Sequence, residues 1–262
     1  MISERIKLLR KKFIINKIDG YIIPKNDEFF GEYIPQTKDK LKFISSFSGS
    51  YGFALILKKT NYLFVDGRYT LQAKIQSGDM FKILTIPKIL PSDVLKNKKI
   101  SIGYDPKLHT ELMISRLFNN SFCKLVPIKK NLIEEIWTKK NTNKINKFYK
   151  LNNKDSGETS KSKINKLSKI LLKNKINLHF VSASENVAWL LNIRGFDNPN
   201  SPIPNCRLLI NDENKIYLIS EFKSLKKLIK EKKINKKQII EPKNLKLFSN
   251  KFKNKKILID KK

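Results

Sequence analysis

The sequence predicts an α/β protein with two tandem domains, each a mixed β-sheet flanked by helices. Three observations lead to this prediction. At 262 residues the chain has reached the size at which one hydrophobic core commonly divides into two. Each half shows the same order of elements (helix, strand, helix, hairpin, helix, strand), and such alternation is typical of α/β domains. Between the halves, residues 138–162 are polar and have the composition of a linker.

The first half begins with apolar residues at helical spacing, which predict a helix whose first turn is capped by Ser3. A short buried strand at 20–24 then ends in a proline. The remaining pattern predicts, in order, a hairpin of strands 53–59 and 61–66, a helix after Arg68, strands at 81–87 and 100–105, a helix that begins at Asp105-Pro106 and carries Leu108, Leu112 and Leu117, and a short amphipathic helix at 131–137.

The second half repeats this plan. We place the first domain at 1–140, the linker at 141–162 and the second domain at 163–262. The pattern of the second half predicts, in order, a helix carrying Ile164, Leu167 and Leu171, a strand at 178–183, a helix capped by Ser184 whose Trp189, Leu190 and Leu191 belong to the core, a helix end at Arg194-Gly195, a proline-rich loop at 195–205, a hairpin at 207–220, a lysine-rich helix at 222–233, and strands at 238–242 and 256–260.

The chain is strongly basic, with a formal net charge of +32 at pH 7. Such an excess is typical of proteins that bind nucleic acid or anionic membranes. Here, however, the basic residues are almost all lysine and are scattered over nearly every polar segment, and only six of the 55 are arginine. Sequence-specific nucleic-acid readers rely on the arginine fork. We therefore expect no specific nucleic-acid partner, and a codon bias toward Lys, Asn and Ile accounts for the charge.

Neither a membrane span nor a signal peptide is indicated by the sequence. No run of about 18 apolar residues is present, and the basic amino terminus lacks an apolar segment after it. The two cysteines, Cys123 and Cys206, are far apart and predict no disulfide framework. We expect a cytoplasmic protein that does not insert into a membrane.

Candidate catalytic clusters are missing from the sequence. The two histidines, His109 and His179, lie in no ligand-spaced motif, and each is better explained as a structural histidine. The chain has no GxSxG motif, no phosphate-binding glycine loop and no cysteine with an evident histidine partner. We therefore predict no catalytic residue and no metal ligand among these 262 residues.

One arginine is nevertheless placed where a ligand contact is expected. Arg68, in the segment FVDGRYTLQA (64–73), follows a predicted strand at a glycine turn. In α/β proteins, the carboxyl edge of the sheet is the usual position of ligand contacts. The simplest alternative is a surface arginine at a helix start that pairs with Asp66.

Five segments, in order along nearly the whole chain, resemble the two amino-terminal domains of the three-domain Xaa-Pro aminopeptidases, the aminopeptidase P branch of the creatinase/prolidase superfamily. They are DGYIIPKNDEFFGEYIP (19–35), FISSFSGSYGFALIL (43–57), FVDGRYTLQA (64–73), NLIEEIW (131–137) and ENVAWLLNIRGFDNPNSP (185–202). The resemblance implies two creatinase-N-terminal-like domains. It also implies that the pita-bread catalytic domain of the family is absent from the chain.

In that family the catalytic domain holds two divalent metal ions, typically manganese, which activate the water that attacks the bond before proline. We expect no cofactor in this chain itself. The implied partners are the protein's own catalytic domain and short peptides with proline at the second position, and a dimer is possible for the full-length form.

The resemblance also implies two residues that face the substrate cleft. Arg68 would present a planar, permanently charged fork to a peptide carboxylate, a peptide carbonyl or an acidic group of the catalytic domain. Glu32, in the GEYIP segment, would pair with Arg68 or face the amino end of the substrate, and an exposed loop carboxylate is an equally good explanation. Phe47, Gly49 and Ser50 are interpreted as a structural turn beside this cleft.

Three functions are compatible with these features. The first is the non-catalytic amino-terminal region of an Xaa-Pro aminopeptidase, which shapes the substrate cleft and restricts access to it. The alternative is a stand-alone creatinase-N-like binding module without peptidase activity. The third, a basic nucleic-acid-binding protein, is disfavoured by the scarcity of arginine. In each case we expect this chain alone to be inactive as a peptidase.

Overall fold

A computed structural model describes residues 1–138, 146–198 and 200–260. These residues fall into two compact units, the first containing 1–138 and the second the described residues from 146 onward. Each unit is built on its own mixed β-sheet with helices on both faces. The predicted fold class is therefore confirmed. Across the described ranges, no helix combines the length and apolar character that spanning a bilayer requires.

The first unit contains six α-helices and six strands among its described residues. They are α1 (Ile2–Asn16), β1 (Gly20–Pro24), α2 (Lys40–Ser45), β2 (Gly52–Leu57), β3 (Asn61–Asp66), α3 (Thr70–Ser77), β4 (Lys82–Ile86), α4 (Pro91–Leu95), β5 (Ser101–Tyr104), α5 (Glu111–Leu117), β6 (Lys124–Pro127) and α6 (Leu132–Ile136). The strand order is β4-β3-β2-β1-β5-β6, and only β2 runs antiparallel to its neighbours.

Two apolar cores enclose this sheet, one on each face. Successive side chains of a strand point to opposite faces, so a strand covered on both sides is apolar throughout. In β1, Tyr21 and Ile23 join the core beneath α1, α2, α3 and α6, whereas Ile22 joins the core beneath α4 and α5. All five residues of β1 and all six of β2 are buried as a result.

The second unit is built on a five-stranded sheet and a two-stranded ribbon. Its elements are β7 (Tyr149–Lys150), α7 (Asn153–Ser156), α8 (Ser160–Lys173), β8 (Leu178–Val181), α9 (Ser184–Leu191), β9 (Ile193–Arg194), β10 (Arg207–Asn211), β11 (Ile216–Ile219), α10 (Lys226–Lys230), β12 (Ile239–Ile240), α11 (Leu245–Ser249) and β13 (Ile257–Ile259). The main sheet has the order β12-β11-β10-β8-β13, and β7 pairs with β9.

The predicted linker, 141–162, lies partly outside the described residues, since 139–145 are not described. The described part, from 146, contains β7 and α7 and the first residues of α8. Phe148 is buried in the core of the second unit. The domain limits at residues 140 and 163 therefore remain a prediction.

Several predicted helix boundaries are wrong. Ser3 lies inside the first turn of α1 and makes no capping bond. The helix expected at Asp105-Pro106 begins at Glu111, where the Thr110 hydroxyl accepts a hydrogen bond from Met113 N. Ser184 does not cap α9, since its hydroxyl donates to the carbonyl of Cys206.

The end of α9 also differs from the prediction. The left-handed residue is Asn192, with φ of 51°, so the helix ends before Arg194-Gly195, and Arg194 belongs to β9. Leu190 and Leu191 are buried as expected, but Trp189 is 58% exposed. Its ring is covered by the ammonium of Lys163, which lies 4.1 Å from the ring centroid. The lysine-rich helix is shorter than predicted, with α10 preceded by a 3-10 turn at Phe222–Leu225.

Candidate functional site

A groove of about 930 Å³ lies at one edge of the sheet in the first unit. It is lined by segments 24–26, 30–32 and 50–53, by Arg68, and by residues of 109–117. These segments follow β1, β3 and β5 and precede β2. Because β1, β3 and β5 are parallel to one another, their carboxyl ends meet at this edge of the sheet. We call this feature the edge groove.

Arg68 is held at the end of β3 by the aspartate that precedes its turn. Asp66 accepts hydrogen bonds from the backbone N–H of Arg68 at 3.0 Å and from its Nε at 2.9 Å. This contact raises the pKa of Arg68 and lowers that of Asp66. The Arg68 side chain remains 74% exposed. A guanidinium has five N–H donors, so this geometry leaves donors available to a ligand in the edge groove.

Glu32 lines the same groove on an exposed segment. Phe30, just before it, has a left-handed backbone with φ of 56°, which is uncommon for a bulky residue and marks a sharp change of chain direction. Within the described ranges, no ion pair joins Glu32 to Arg68, whose partner is Asp66. The structure thus places both predicted residues in one groove, and their roles toward a substrate stay predictions.

The loop after β5 is fixed by buried polar contacts. The Asp105 carboxylate accepts from Asn131 Nδ2 at 2.7 Å, and Asn26 Nδ2 donates to the Leu108 carbonyl at 3.0 Å. His109 is 5% exposed, and its Nδ1 lies 3.1 Å from the Asp105 carbonyl oxygen. Because a carbonyl only accepts, Nδ1 carries the proton when the ring is neutral. Burial lowers the pKa of His109 and favours that neutral form.

The turn before β2 forms part of the groove wall. Phe47 is completely buried, as the structural interpretation expected, and Ser50 Oγ lies 2.8 Å from Tyr69 Oη. Gly52 starts β2 where a side chain has no room, because a Cβ there would lie 2.6 Å from the Phe64 carbonyl oxygen. Tyr51, which lines the groove, is 54% exposed.

The edge groove carries more basic than acidic groups. Lys25, Arg68 and Arg116 line it, against Glu32 as the one lining carboxylate among the described residues. Lys25 is nearly buried and pairs with Asp39, so the charge available to a ligand resides mainly on the two arginines. Sequence reasoning missed Arg116, although the scarcity of arginine was a signal that applied to it equally. The groove is suited to an anionic or carbonyl group beside an apolar wall.

Two family models match the chain, both described as the creatinase/prolidase N-terminal domain. One covers residues 5–136 and the other residues 139–262. The chain belongs to the creatinase/prolidase N-terminal domain family. The resemblance to the amino-terminal part of the Xaa-Pro aminopeptidases, which the five segments indicated, is confirmed.

Relatives of this family that resemble the chain are considerably longer. The chain is 30% identical to a probable Xaa-Pro aminopeptidase P of Coprinopsis cinerea over 229 residues, which are 84% of this chain and 37% of that protein. It is also 30% identical to aminopeptidase P1 of Lotus japonicus over 213 residues, 79% of this chain and 32% of that protein. The chain thus spans about a third of the length of the curated relatives it matches.

A solved structure that resembles the chain is the X-prolyl aminopeptidase of Caenorhabditis elegans, described as a cytosolic enzyme with a di-nuclear active site. The TM-score is 0.85 at 26% identity, over 97% of this chain and 45% of that one. The described residues of our chain contain no group of three or more side chains able to hold a metal ion. The described part of the chain therefore lacks a donor set of the size that a dinuclear centre needs.

Proposed function

We propose that this chain is the non-catalytic amino-terminal region of an Xaa-Pro aminopeptidase and that its edge groove forms one wall of the substrate cleft. The observation that supports the proposal most directly is that Arg68 and Glu32, on separate segments, line one groove at the carboxyl edge of the sheet. The similarity to longer Xaa-Pro aminopeptidases supplies the enzyme class.

In this proposal the metal chemistry belongs to the portion of the longer relatives that our chain does not match. Two divalent metals, for which manganese is our prediction, would activate water there, and the edge groove would hold the peptide. A bond before proline has no N–H, and the proline ring fixes φ. Recognition therefore has to use shape and the remaining carbonyl and carboxylate groups, for which Arg68 is suited.

The edge groove would also restrict access to the cleft. Three large apolar side chains line it and are partly exposed: Phe30 (45%), Tyr51 (54%) and Leu112 (40%). These side chains would obstruct an extended polypeptide that entered the groove. A short peptide would pass between these side chains, whereas a long or folded chain would collide with them. Dimer formation and a cytoplasmic location stay predictions for the full-length protein.

The test uses a complete enzyme that contains this chain, with Arg68→Lys as the variant. A lysine keeps the charge but loses the planar fork, so we expect kcat/KM on an Xaa-Pro tripeptide to fall by about tenfold, within the range of one charge-assisted hydrogen bond. The melting temperature should not change, because Arg68 is largely exposed. Lys74→Ala, an exposed substitution on α3 outside the groove, is the matched control and should behave as wild type.

A second arm tests access with peptides of increasing length. Tyr51→Ala should raise the turnover of longer peptides relative to the tripeptide, because it removes bulk from the groove wall. The proposal would be contradicted if the Arg68 variant had wild-type kinetics and the Tyr51 variant had an unchanged dependence of turnover on peptide length. Tripeptide binding to this chain, without any effect of Arg68 on turnover, would instead favour the stand-alone binding module.

A further inference from the structure

The second unit contains a partly open cavity of about 350 Å³ that the proposed cleft does not use. It lies between α8, α10 and β11, against the larger core of that unit. Seven of its lining residues are Ile or Leu, among them Ile164, Leu218 and Leu228. Small-molecule sites commonly have volumes of roughly 300–1,000 Å³ and a mostly apolar lining, so this cavity is large enough for a small ligand.

Lys233 lies at the mouth of this cavity, positioned by the turn that ends α10. Lys232 is left-handed, with φ of 54°, and its N–H bonds to the Ile229 carbonyl at 3.0 Å. The N–H of Lys233 then bonds to the Leu228 carbonyl at 2.9 Å. This pair of bonds is the Schellman motif, which turns the chain back toward the helix. It places Lys233 and Ile234 in the cavity lining.

The charge around the mouth is entirely positive among the described lining residues. Lys161 and Lys233 line the cavity, and no aspartate or glutamate does. Lys233 Nζ donates to Ser160 Oγ at 2.7 Å, and no described ion pair involves it. Burial, together with the charges of Lys150 and Lys163, lowers the pKa of Lys233. A partly buried ammonium among other cations gains stability from an added anion.

We propose that this cavity binds a small aliphatic monocarboxylate, with its hydrocarbon chain among the isoleucine and leucine side chains and its carboxylate on Lys233. The hydrocarbon chain of the ligand would bury apolar surface, and its carboxylate would supply the anionic acceptor that the described lining residues lack. A cationic ligand would be repelled by the two lysines. A neutral alkane-like ligand would leave the ammonium without an anion. The site is separate from the edge groove and does not depend on the proposed function.

The test measures octanoate binding to the whole chain by calorimetry and by amide chemical shifts. We expect one octanoate per chain with a Kd on the order of 0.1–1 mM, as suits a ligand of this size. The shifted amides should include Ile164, Leu228 and Lys233. Lys233→Met keeps the aliphatic stem but removes the charge and should weaken binding at least tenfold. Lys237→Met, an exposed lysine outside the lining, is the matched control and should leave the Kd unchanged.

Two further probes keep the proposal testable on the wild-type chain even where Lys233→Met does not fold. Octanol lacks the carboxylate and acetate lacks the chain, so each should bind at least tenfold more weakly than octanoate. The proposal is overturned by an absence of saturable octanoate binding, by equal binding of octanoate and octanol, or by shifts that spread over surface lysines and spare the cavity. Equal affinity in the wild type and a folded Lys233→Met variant would overturn it as well.

Discussion

Asp19 connects three strands of the first unit through one side chain. One carboxylate oxygen accepts from Lys58 Nζ in the β2–β3 turn, and the other accepts from Ser101 N at the start of β5 at 2.8 Å. Its own backbone N–H bonds to the Ser101 carbonyl at 2.7 Å. The hydrogen bonds from Lys58 and Ser101 lower the pKa of Asp19. The start of β1 is thus held to β5 and to the hairpin by charge-assisted bonds.

Asp19→Asn should lower the free energy of unfolding at pH 7 by about 1–2 kcal/mol, because the amide can accept from only one of the two donors. A carboxylate with a lowered folded pKa contributes stability above its unfolded pKa, roughly 3.9, and loses it as the pH falls through the folded value. The difference between wild type and variant should therefore be constant at pH 5–7 and shrink below about pH 4. Urea unfolding of both proteins between pH 3 and pH 7 measures this difference in the free energy of unfolding.

Asp79→Asn is the control for that measurement, since Asp79 is exposed and makes no described side-chain contact. It should leave the stability curve within about 0.5 kcal/mol of wild type at each pH. An Asp19 difference that persists unchanged at pH 3 would show that its charge is not what stabilises the fold.

At the scale of elements, α1 ends in the same Schellman motif as α10. In both helices the left-handed residue is a lysine, where glycine is usual. Lys17 has φ of 51°, its N–H bonds to the Ile14 carbonyl, and the N–H of Ile18 bonds to the Phe13 carbonyl. Phe13 and Ile18 are both buried in the core. The apolar contact that accompanies this motif therefore fixes the turn even though the residue at its centre is strained.

Lys17→Gly should stabilise the protein by about 0.5–1 kcal/mol, because glycine adopts a left-handed backbone without the penalty of a Cβ. Lys11→Gly, at an exposed position inside α1, is the matched control and should destabilise by about 1 kcal/mol. Thermal unfolding of the three proteins distinguishes these effects. Destabilisation by both substitutions would contradict the assigned geometry at Lys17.

Strands were easier to predict from this sequence than helix ends, for a physical reason. β1, β2 and β3 are covered on both faces, so nearly every residue is apolar and the pattern is strong. A helix end depends on where a single polar side chain finds its partner. The Asp105 carboxylate bonds to Asn131, and the Ser184 hydroxyl bonds to the Cys206 carbonyl. Both partners are distant in sequence, and neither contact follows from local spacing.

The same distinction applies to the edge groove. Arg68 and Glu32 were predicted through a resemblance of short segments, and both line the groove. Arg116 was missed although it lies on a helix that the sequence predicted, because no motif or local pattern distinguished it. Its place in the groove depends on the approach of α5 to segments 30–32 and 50–53, which are distant in sequence, and local spacing does not reveal that approach.

At the scale of the whole molecule, apolar burial is divided between the two units. Two core clusters contain residues of the first unit, and two contain residues of the second. Leu55, on β2, and Leu208, on β10, are completely buried at the centres of their respective sheets. No described cluster contains residues of both units, so each unit supplies its own hydrophobic stabilisation.

Leu208→Ala should therefore loosen one unit without loosening the other. Removing a buried leucine costs about 2–5 kcal/mol, and opening of a cooperative unit appears as faster amide exchange within it. In hydrogen-exchange mass spectrometry, peptides from β8, β10 and β11 should lose protection, while those from β1, β2 and β3 should match wild type. Leu55→Ala is the reciprocal control and should give the opposite pattern. Equal loss of protection in both units after either substitution would mean that they unfold as one cooperative body, because separate cores transmit a local defect only through a shared unfolding transition.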